Sequence, residues 1–188
     1  MKNILGLGLN CILPSLLVLL TSCATQVQST DPSTPTRYAG NRFDVDYSAR
    51  LPQFLNTAGK KTVLVDPNVH AWGAYSENGQ LIRAGIATAG ASQCPPDARD
   101  TNSCYTGIGT FKITGMGDET CYSKKYANGL MPYCMYFNNG EALHGSPDNI
   151  VMEDNLSHGC VRMRIPDAEW MRYHFAEVGT RVVVLPYQ

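Results

Sequence analysis

The chain has 188 residues, a formal net charge of −1 at pH 7 and 16% charged residues. It contains no cluster of Lys and Arg and no glycine-rich phosphate-binding motif, which argues against nucleic acid as a partner and gives no indication of a cofactor. Its length allows one domain of ordinary size with a single hydrophobic core, after a shorter N-terminal segment.

That N-terminal segment, residues 1–22, has the composition of a secretory signal peptide. One positive charge at Lys2 precedes an almost wholly apolar stretch, and small residues follow it. The Leu-Thr-Ser-Cys sequence ending at Cys23 resembles the lipobox of bacterial lipoproteins, in which this cysteine carries lipid and becomes the mature N-terminus. The resemblance implies a membrane anchor at Cys23, and Ala24 favours the periplasmic face of the outer membrane over the inner membrane. An uncleaved membrane-spanning anchor is the alternative, although the apolar stretch is short for one.

Residues 23–45 are rich in Thr, Ser, Gln and Pro and carry few large apolar side chains. Such a segment cannot bury enough surface to form a core, so we expect a flexible tether between the lipid and the folded domain. A leader without any spacing function is the alternative. The folded domain itself is expected over residues 46–188.

Short strands separated by turn signals dominate this domain. The sequences Ser-Glu-Asn-Gly and Asn-Asn-Gly predict two hairpins. One helix is predicted over residues 166–177, because proline is suited to its first turn and Gly179 follows its end. These elements predict a mostly β sandwich or barrel with one helix in the C-terminal half. The predicted strands cover residues 62–65, 71–75, 81–87, 110–114, 135–137, 142–144 and 181–185.

The cysteines indicate an oxidising compartment. The chain has seven, of which Cys11 lies in the signal peptide and Cys23 in the lipobox, so an odd number remains in the domain. Two local disulfides would close short loops and leave Cys160 as a thiol. Four cysteines allow three pairings, and a zinc site is a further alternative that lacks the usual Cys-x-x-Cys spacing. The pairs that we expect are Cys94 with Cys104 and Cys121 with Cys134.

Two segments carry residues suited to thiol chemistry. Cys160 can act as a nucleophile only as its thiolate, and a neighbouring imidazole such as His144 can accept the proton. Gly159 allows unusual backbone angles beside the thiol, where backbone N–H groups can stabilise an oxyanion. Arg162 supplies a planar cation suited to a carboxylate. Together these residues predict acyl transfer at a peptide bond.

The same two segments resemble a known family. His144-Gly145, followed by Ser-His-Gly-Cys-Val-Arg-Met over residues 157–163, resembles the signature of the YkuD-type L,D-transpeptidases, and the likeness extends over roughly residues 61–185. It implies a YkuD-like β sandwich with the cysteine in a cleft. The implied reaction attacks a peptidoglycan stem peptide between the L-centre of a diamino acid and the following D-alanine. Another stem peptide, a protein amine, a free D-amino acid or water can be the acceptor.

The resemblance also implies roles for individual residues. Cys160 matches the nucleophile that forms a thioester, and His144 matches the general base. The carbonyl of Gly145 matches the group that orients the imidazole, and His158 matches a supporting histidine of the site. The positions that match oxyanion or substrate contacts are Ser157, Gly159, Arg162 and Tyr133.

Other interpretations of these residues remain. Cys160 could be a buried structural thiol, or it could bind zinc together with His144 and His158, although no metal site is expected. Adjacent carboxylates at 118–119 and 153–154 could suggest a glycosidase, but sequence neighbours seldom face each other across a bond. A non-catalytic wall-binding lipoprotein and a surface-contact protein are the alternative functions. The presence of Cys160, His144 and Arg162 together favours the enzyme.

Overall fold

The computed structural model describes residues 43–96, 104–123 and 129–188. Two β-sheets packed face to face and one helix form the domain, which confirms the predicted mostly β sandwich. Within these described residues, no helix is both long and apolar enough to cross a membrane. The expected signal peptide, the lipid attachment at Cys23 and residues 24–42 of the tether lie outside the described residues.

The larger sheet has five strands in the order β3-β2-β1-β9-β4, so that β3 and β4 form its edges. β1 and β9 run parallel, whereas β2 pairs antiparallel with both β1 and β3. The strands are β1 (Thr62–Asp66), β2 (Ala71–Tyr75), β3 (Leu81–Ile86), β4 (Gly109–Lys112) and β9 (Arg181–Val184).

The smaller sheet has four strands in the order β5-β6-β7-β8. β7 and β8 run parallel, which requires a crossover connection, and residues 147–160 provide it. β8 was not predicted from the sequence, and the predicted strand 110–114 corresponds to β4 but extends two residues beyond its end. Its buried Ile113 lies where the chain passes from one sheet to the other. The strands are β5 (Gly115–Met116), β6 (Met135–Asn138), β7 (Glu141–Ser146) and β8 (Val161–Arg164).

The main core lies between the two sheets. Alternate residues of a strand point to opposite faces, and Leu143 of β7 joins Val161 and Met163 of β8 in this core. The intervening residues of the same strands, His144 and Arg162, therefore point to the outer face of the smaller sheet. This alternation directs the predicted catalytic residues away from the core.

The outer face of the larger sheet is covered by the first described residues. Phe43, Tyr47 and Leu51 are buried against it, and the short 3₁₀ helix Tyr47–Arg50 lies among them. Because both faces of this sheet are covered, β1 and β2 are buried along nearly their whole length rather than at alternate positions. Phe43 falls in the segment assigned to the tether, so packing against the domain extends to at least this residue.

The predicted helix 166–177 is shorter and less regular than expected. An α-helix, α1, covers Ile165–Trp170 and continues as a π-helical turn over Met171–Phe175. The turn ends with a hydrogen bond from Ala176 N–H to the Met171 carbonyl at 2.7 Å. This wider turn keeps Met171 and Phe175 buried together in the main core.

Candidate active site

The β7–β8 pair determines where the predicted catalytic residues lie. In the parallel register, His144 is level with Arg162 and Leu143 is level with Val161. Continuing this register by one residue places Cys160 level with Ala142 on the same outer face. His144 and Cys160 are therefore diagonal neighbours, roughly 8 Å apart between Cα atoms by standard strand spacings, which their side chains can bridge.

A cavity of about 420 Å³ opens on this face of the sheet. Its walls include Met131 and Pro132 on one side and Ile150 of the crossover on another, and Ile165 at the start of α1 completes the apolar part. The predicted site residues that line it are His144, Ser157, His158, Cys160 and Arg162.

The imidazole of His144 is buried, with 5% of the residue exposed. Its Nδ1 lies 2.8 Å from the carbonyl oxygen of Gly145. Because a carbonyl can only accept, Nδ1 carries the proton and Nε2 of the neutral ring is the acceptor. Burial, and secondly the positive charge of Arg162, lower the pKa of His144 to about 4, although the hydrogen bond to Gly145 opposes this shift. The ring is therefore a neutral base at pH 7.

At Gly145 the chain approaches the start of α1 closely. A Cβ atom at this position would lie 3.1 Å from the Cα of Ile165 and 3.2 Å from the carbonyl oxygen of Pro132. The N–H of Gly145 donates to that same Pro132 oxygen at 2.7 Å. Gly145 thus accepts a hydrogen bond from the imidazole through its carbonyl and connects β7 to Pro132 of the cavity wall through its N–H.

The turn before β8 is built around Ser157, of which only 1% is exposed. Its hydroxyl donates to the carbonyl of Cys160 and accepts from Gly159 N–H at 3.1 Å. Gly159 has a φ of +114°, a conformation that side chains other than glycine rarely adopt. The Ser157 hydroxyl therefore holds the turn of residues 157–160 together through these two hydrogen bonds. The N–H of Gly159 already has Ser157 as its acceptor.

Cys160 lies beside a disulfide. The structure joins Cys121 to Cys134, and Cys134 shares a buried cluster with Cys160, Ala142 and Met131. Cys94 and Cys104 form the other disulfide of the described residues. Of the three possible pairings, the structure thus has the one between sequence neighbours, and Cys160 takes part in neither bridge.

Tyr133 does not line the catalytic cavity. Its ring packs edge-on against Tyr173, with the ring centroids 5.7 Å apart, and its N–H donates to the Asp118 carbonyl at 2.8 Å. The residue has a φ of +58°, which is unusual for a tyrosine. Its neighbours Met131 and Pro132 reach the cavity instead.

Several cavity residues were missed in the sequence. Ser146 has its hydroxyl oxygen 3.4 Å from Nδ1 of His144, and strand alternation after His144 could have identified it. Met131, Ile150 and Ile165 come from separate segments, and no local pattern marks them.

A second cavity, of about 540 Å³, lies at the β4 edge of the larger sheet. Phe111 and Phe137 contribute to it together with Lys60, Lys112 and Arg181, and none of the described residues that line it is acidic. It contains none of the predicted catalytic residues. The predicted nucleophile and base lie in the smaller cavity, so the chemistry of the lining rather than its volume identifies the candidate site.

No group of three or more His, Cys, Asp and Glu that could hold a metal ion occurs in residues 43–96, 104–123 and 129–188. The alternative in which His144, His158 and Cys160 bind zinc therefore receives no support from the geometry of the described residues.

Comparison with known proteins identifies relatives of this fold and site. Residues 60–184 match the family described as YkuD, L,D-transpeptidase catalytic domain. The protein YciB of Bacillus subtilis, assigned as an L,D-transpeptidase, is 27% identical over 187 residues, covering 89% of this chain and 92% of its own length.

Two crystal structures of L,D-transpeptidases are also similar. The one from Xylanimonas cellulosilytica is 25% identical with a TM-score of 0.63, covering 73% of this chain and 66% of its own. The one from Stackebrandtia nassauensis is 26% identical with a TM-score of 0.58, covering 72% of this chain and 60% of its own. The chain thus spans somewhat less than two thirds of each of these structures.

Proposed function

The chain belongs to the YkuD family of L,D-transpeptidase catalytic domains, and we propose that it transfers acyl groups of peptidoglycan stem peptides through a thioester on Cys160. The bond attacked lies between the L-centre of the diamino acid and the following D-alanine, as the family resemblance implies. One observation carries the proposal: a neutral, hydrogen-bonded imidazole at His144 and the thiol of Cys160 share one sheet face and one cavity.

The first step is deprotonation of the thiol. Nε2 of His144 accepts the proton from Sγ of Cys160, since Nδ1 already donates to the Gly145 carbonyl. The ring becomes an imidazolium, which the Gly145 oxygen stabilises through that same hydrogen bond. Because His144 is neutral at rest, Cys160 and His144 do not form a thiolate–imidazolium ion pair before the substrate binds.

In the second step, the thiolate attacks the peptide carbonyl carbon and a tetrahedral oxyanion forms. Backbone N–H groups beside Cys160 stabilise its charge, as the family resemblance implies. The Gly159 amide donates to the Ser157 hydroxyl before the reaction, so it takes part only if it leaves that oxygen. The imidazolium of His144 returns its proton to the departing amine of D-alanine as the carbon–nitrogen bond breaks. The products of this half-reaction are free D-alanine and a thioester at Cys160.

In the third step, an acceptor amine attacks the thioester and loses a proton to His144, which passes it to the departing sulfur. A new peptide bond and the thiol of Cys160 result. Arg162 lies in the cavity with a guanidinium suited to a stem-peptide carboxylate, and His158 lines the same cavity beside the nucleophile. Tyr133 remains a proposed contact to substrate on the donor side.

The acceptor is the finer part of the proposal. An amine gives transpeptidation, to a second stem peptide or to a protein, whereas water gives L,D-carboxypeptidase activity from the same thioester. The alternative that is not an enzyme is a lipoprotein that binds the wall or mediates surface contact without catalysis. A buried base aligned by the carbonyl of the next residue, Gly145, favours the enzyme, because wall binding alone does not require such a base.

A domain that acts on peptidoglycan works in the cell envelope. The two disulfides of the described residues are consistent with an oxidising compartment. We propose that lipid at Cys23 anchors the chain at the periplasmic face of the outer membrane, after removal of residues 1–22. The tether then gives the domain reach from the bilayer to the wall.

The test uses purified disaccharide tetrapeptide with and without an added amine, followed by mass spectrometry of products and of the intact protein. We expect release of D-alanine, a thioester adduct on Cys160 and a cross-linked or hydrolysed product. A carbapenem, whose strained carbonyl acylates thiolates, should add one adduct to the wild type and none to Cys160→Ala. Absence of both turnover and adduct in the folded wild type would reject the proposal.

A further inference from the structure

Three residues lie in a row across the outer face of the smaller sheet. Tyr136 of β6 pairs with Ala142 of β7 in the antiparallel register. Ala142 in turn is level with Cys160, by continuation of the β7–β8 register. Tyr136 and Cys160 are therefore two strand spacings apart, about 10 Å between Cα atoms, with only a methyl group between them.

The side chains of Tyr136 and Cys160 can approach each other above Ala142, because the alanine methyl group leaves space between them. Ala142 has none of its surface exposed, and the buried cluster that contains Ala142 and Cys160 is packed against the Tyr136 ring. The Tyr136 ring packs on this cluster, and the charge of Cys160 acts on its hydroxyl, so the two groups are near each other. Neither Tyr136 nor Ala142 lines the catalytic cavity, so the approach to the sulfur comes from the side away from substrate.

The hydroxyl of Tyr136 is held near a second sulfur. Its oxygen lies 3.7 Å from Sγ of Cys121, which is bonded to Cys134 and has no proton to give. The phenol is therefore the donor of this pair, and a disulfide sulfur is a weak acceptor. A thiolate formed within reach would be a much stronger acceptor for the same proton.

We propose that Tyr136 is a positioning residue for the nucleophile: its phenol O–H turns from the disulfide to the Cys160 thiolate and donates to it when the thiol is deprotonated. The inference deepens the proposed function, on which it rests, by adding a group that stabilises the charged form of the nucleophile. No proton is lost from Tyr136 in this step. The thiol proton goes to His144, and the phenol keeps its own proton throughout.

The electrostatics of the site agree with this role. Burial, and secondly the charge of Cys160, raise the pKa of Tyr136, so the phenol keeps its proton at the pH at which the thiolate forms. The low pKa of His144 makes transfer of the thiol proton to its ring unfavourable, which leaves a deficit in the stabilisation of the thiolate–imidazolium pair. A neutral donor on the opposite side from the substrate would compensate for part of that deficit.

The test measures the rate at which iodoacetamide alkylates Cys160 as a function of pH, with both disulfides intact, in the wild type and Tyr136→Phe. Loss of the donor should raise the apparent pKa of Cys160. For a rise of one unit, the thiolate fraction at neutral pH falls tenfold while its intrinsic reactivity increases, so alkylation slows by about threefold. Tyr173→Phe, which makes the same change on an exposed ring, should leave the profile unchanged.

An unchanged alkylation profile in Tyr136→Phe would overturn the inference. If this variant folds poorly, site-specific replacement of Tyr136 by a monofluorotyrosine retains the ring and gives a stronger donor. It should lower the apparent pKa of Cys160, and a rise or no change would also overturn the inference. Alkylation needs no peptidoglycan, so a shifted profile in a protein without turnover would reject the proposed function and leave this inference standing.

Discussion

His144 and Arg162 lie level with each other on two parallel strands, and both side chains line the same cavity. Burial is the main cause of the low pKa of His144, about 4, and the guanidinium adds to it. A guanidinium keeps its charge at any pH that the protein experiences. The resting site therefore has one permanent cation and one uncharged base.

The first prediction concerns the pH dependence of turnover. A base with a pKa of about 4 stays deprotonated through the weakly acidic range. The acid limb of kcat/KM should therefore lie near pH 4, since this parameter reports ionisation of the free enzyme. Steady-state rates on disaccharide tetrapeptide from about one unit below pH 4 up to neutral pH measure it. An acid limb near 6.5, the ordinary value for histidine, would contradict the assignment of His144.

The second prediction concerns stability. The pKa of His144 is about 4 in the folded protein, against 6.5 for an unperturbed histidine, so the unfolded chain binds the proton more readily. The contribution is fully present above pH 6.5 and is lost as the pH falls toward 4, and it amounts to about 3 kcal/mol. Urea unfolding at several pH values should show this loss in the wild type and a flatter curve in His144→Gln. Parallel curves for the two proteins would contradict it.

The third prediction separates backbone strain from catalysis. Gly159 and Gly179 have φ values of +114° and +101°, and only Gly159 lies in the nucleophile turn. Alanine at either position should cost about 1–3 kcal/mol of stability, because side chains disfavour this conformation. Gly159→Ala should also lose most of its turnover, whereas the matched Gly179→Ala should retain it at a temperature where both are folded. Equal activities would show that the turn geometry is not critical.

The fourth prediction concerns the hydroxyl of Ser157. Ser157→Ala leaves the buried Gly159 N–H and Cys160 carbonyl without this partner, which should cost about 1–3 kcal/mol. Alkylation of Cys160 and turnover should both decrease, because the turn that holds the thiol is loosened. Ser48→Ala, which removes an exposed hydroxyl, is the control. If Ser157→Ala keeps the melting temperature and turnover of the wild type, the hydroxyl does not stabilise the turn that holds Cys160.

The fifth prediction concerns the disulfide beside the thiol. Cys121 and Cys134 are separated by 13 positions, so replacing both with Ser should cost roughly 3 kcal/mol by loop-closure entropy. KM should also rise, since the segment between them includes Met131 and Pro132 of the cavity wall. Replacing Cys94 and Cys104 should lower the melting temperature with a smaller effect on KM. An unchanged KM in the first variant would separate the bridge from substrate binding.

The sequence predicted most strands, because apolar runs and Asn-Gly turns are local signals. It did not predict β8, although Val161 and Met163 alternate with two arginines as a half-buried strand requires. The Ser-His-Gly-Cys motif directly before those residues favoured a turn. Residues 161–164 adopt the extended conformation of a strand because they pair with β7. The divided helix has a similar cause, because burial of Met171 and Phe175 widens a turn that local propensity would leave regular.

The proposed nucleophile and base are apparent in sequence because short motifs surround them. The cavity walls and Tyr136 are not, since they approach Cys160 only through the register of β6 and β7. Tyr133 shows the converse. It is adjacent to two wall residues, yet its positive φ turns the ring toward Tyr173. Neighbours in a chain can thus differ entirely in what they contact.

Parallel pairing of β7 and β8 separates two tasks within the active site. The proposed base lies in β7 and the proposed nucleophile directly before β8, whereas Pro147 and Ile150 of the crossover border the cavity without belonging to a strand. Changes of length or composition there would alter the shape of the cavity while sparing the proposed base and nucleophile. The crossover is accordingly the segment to exchange between relatives when a cavity of different shape is wanted.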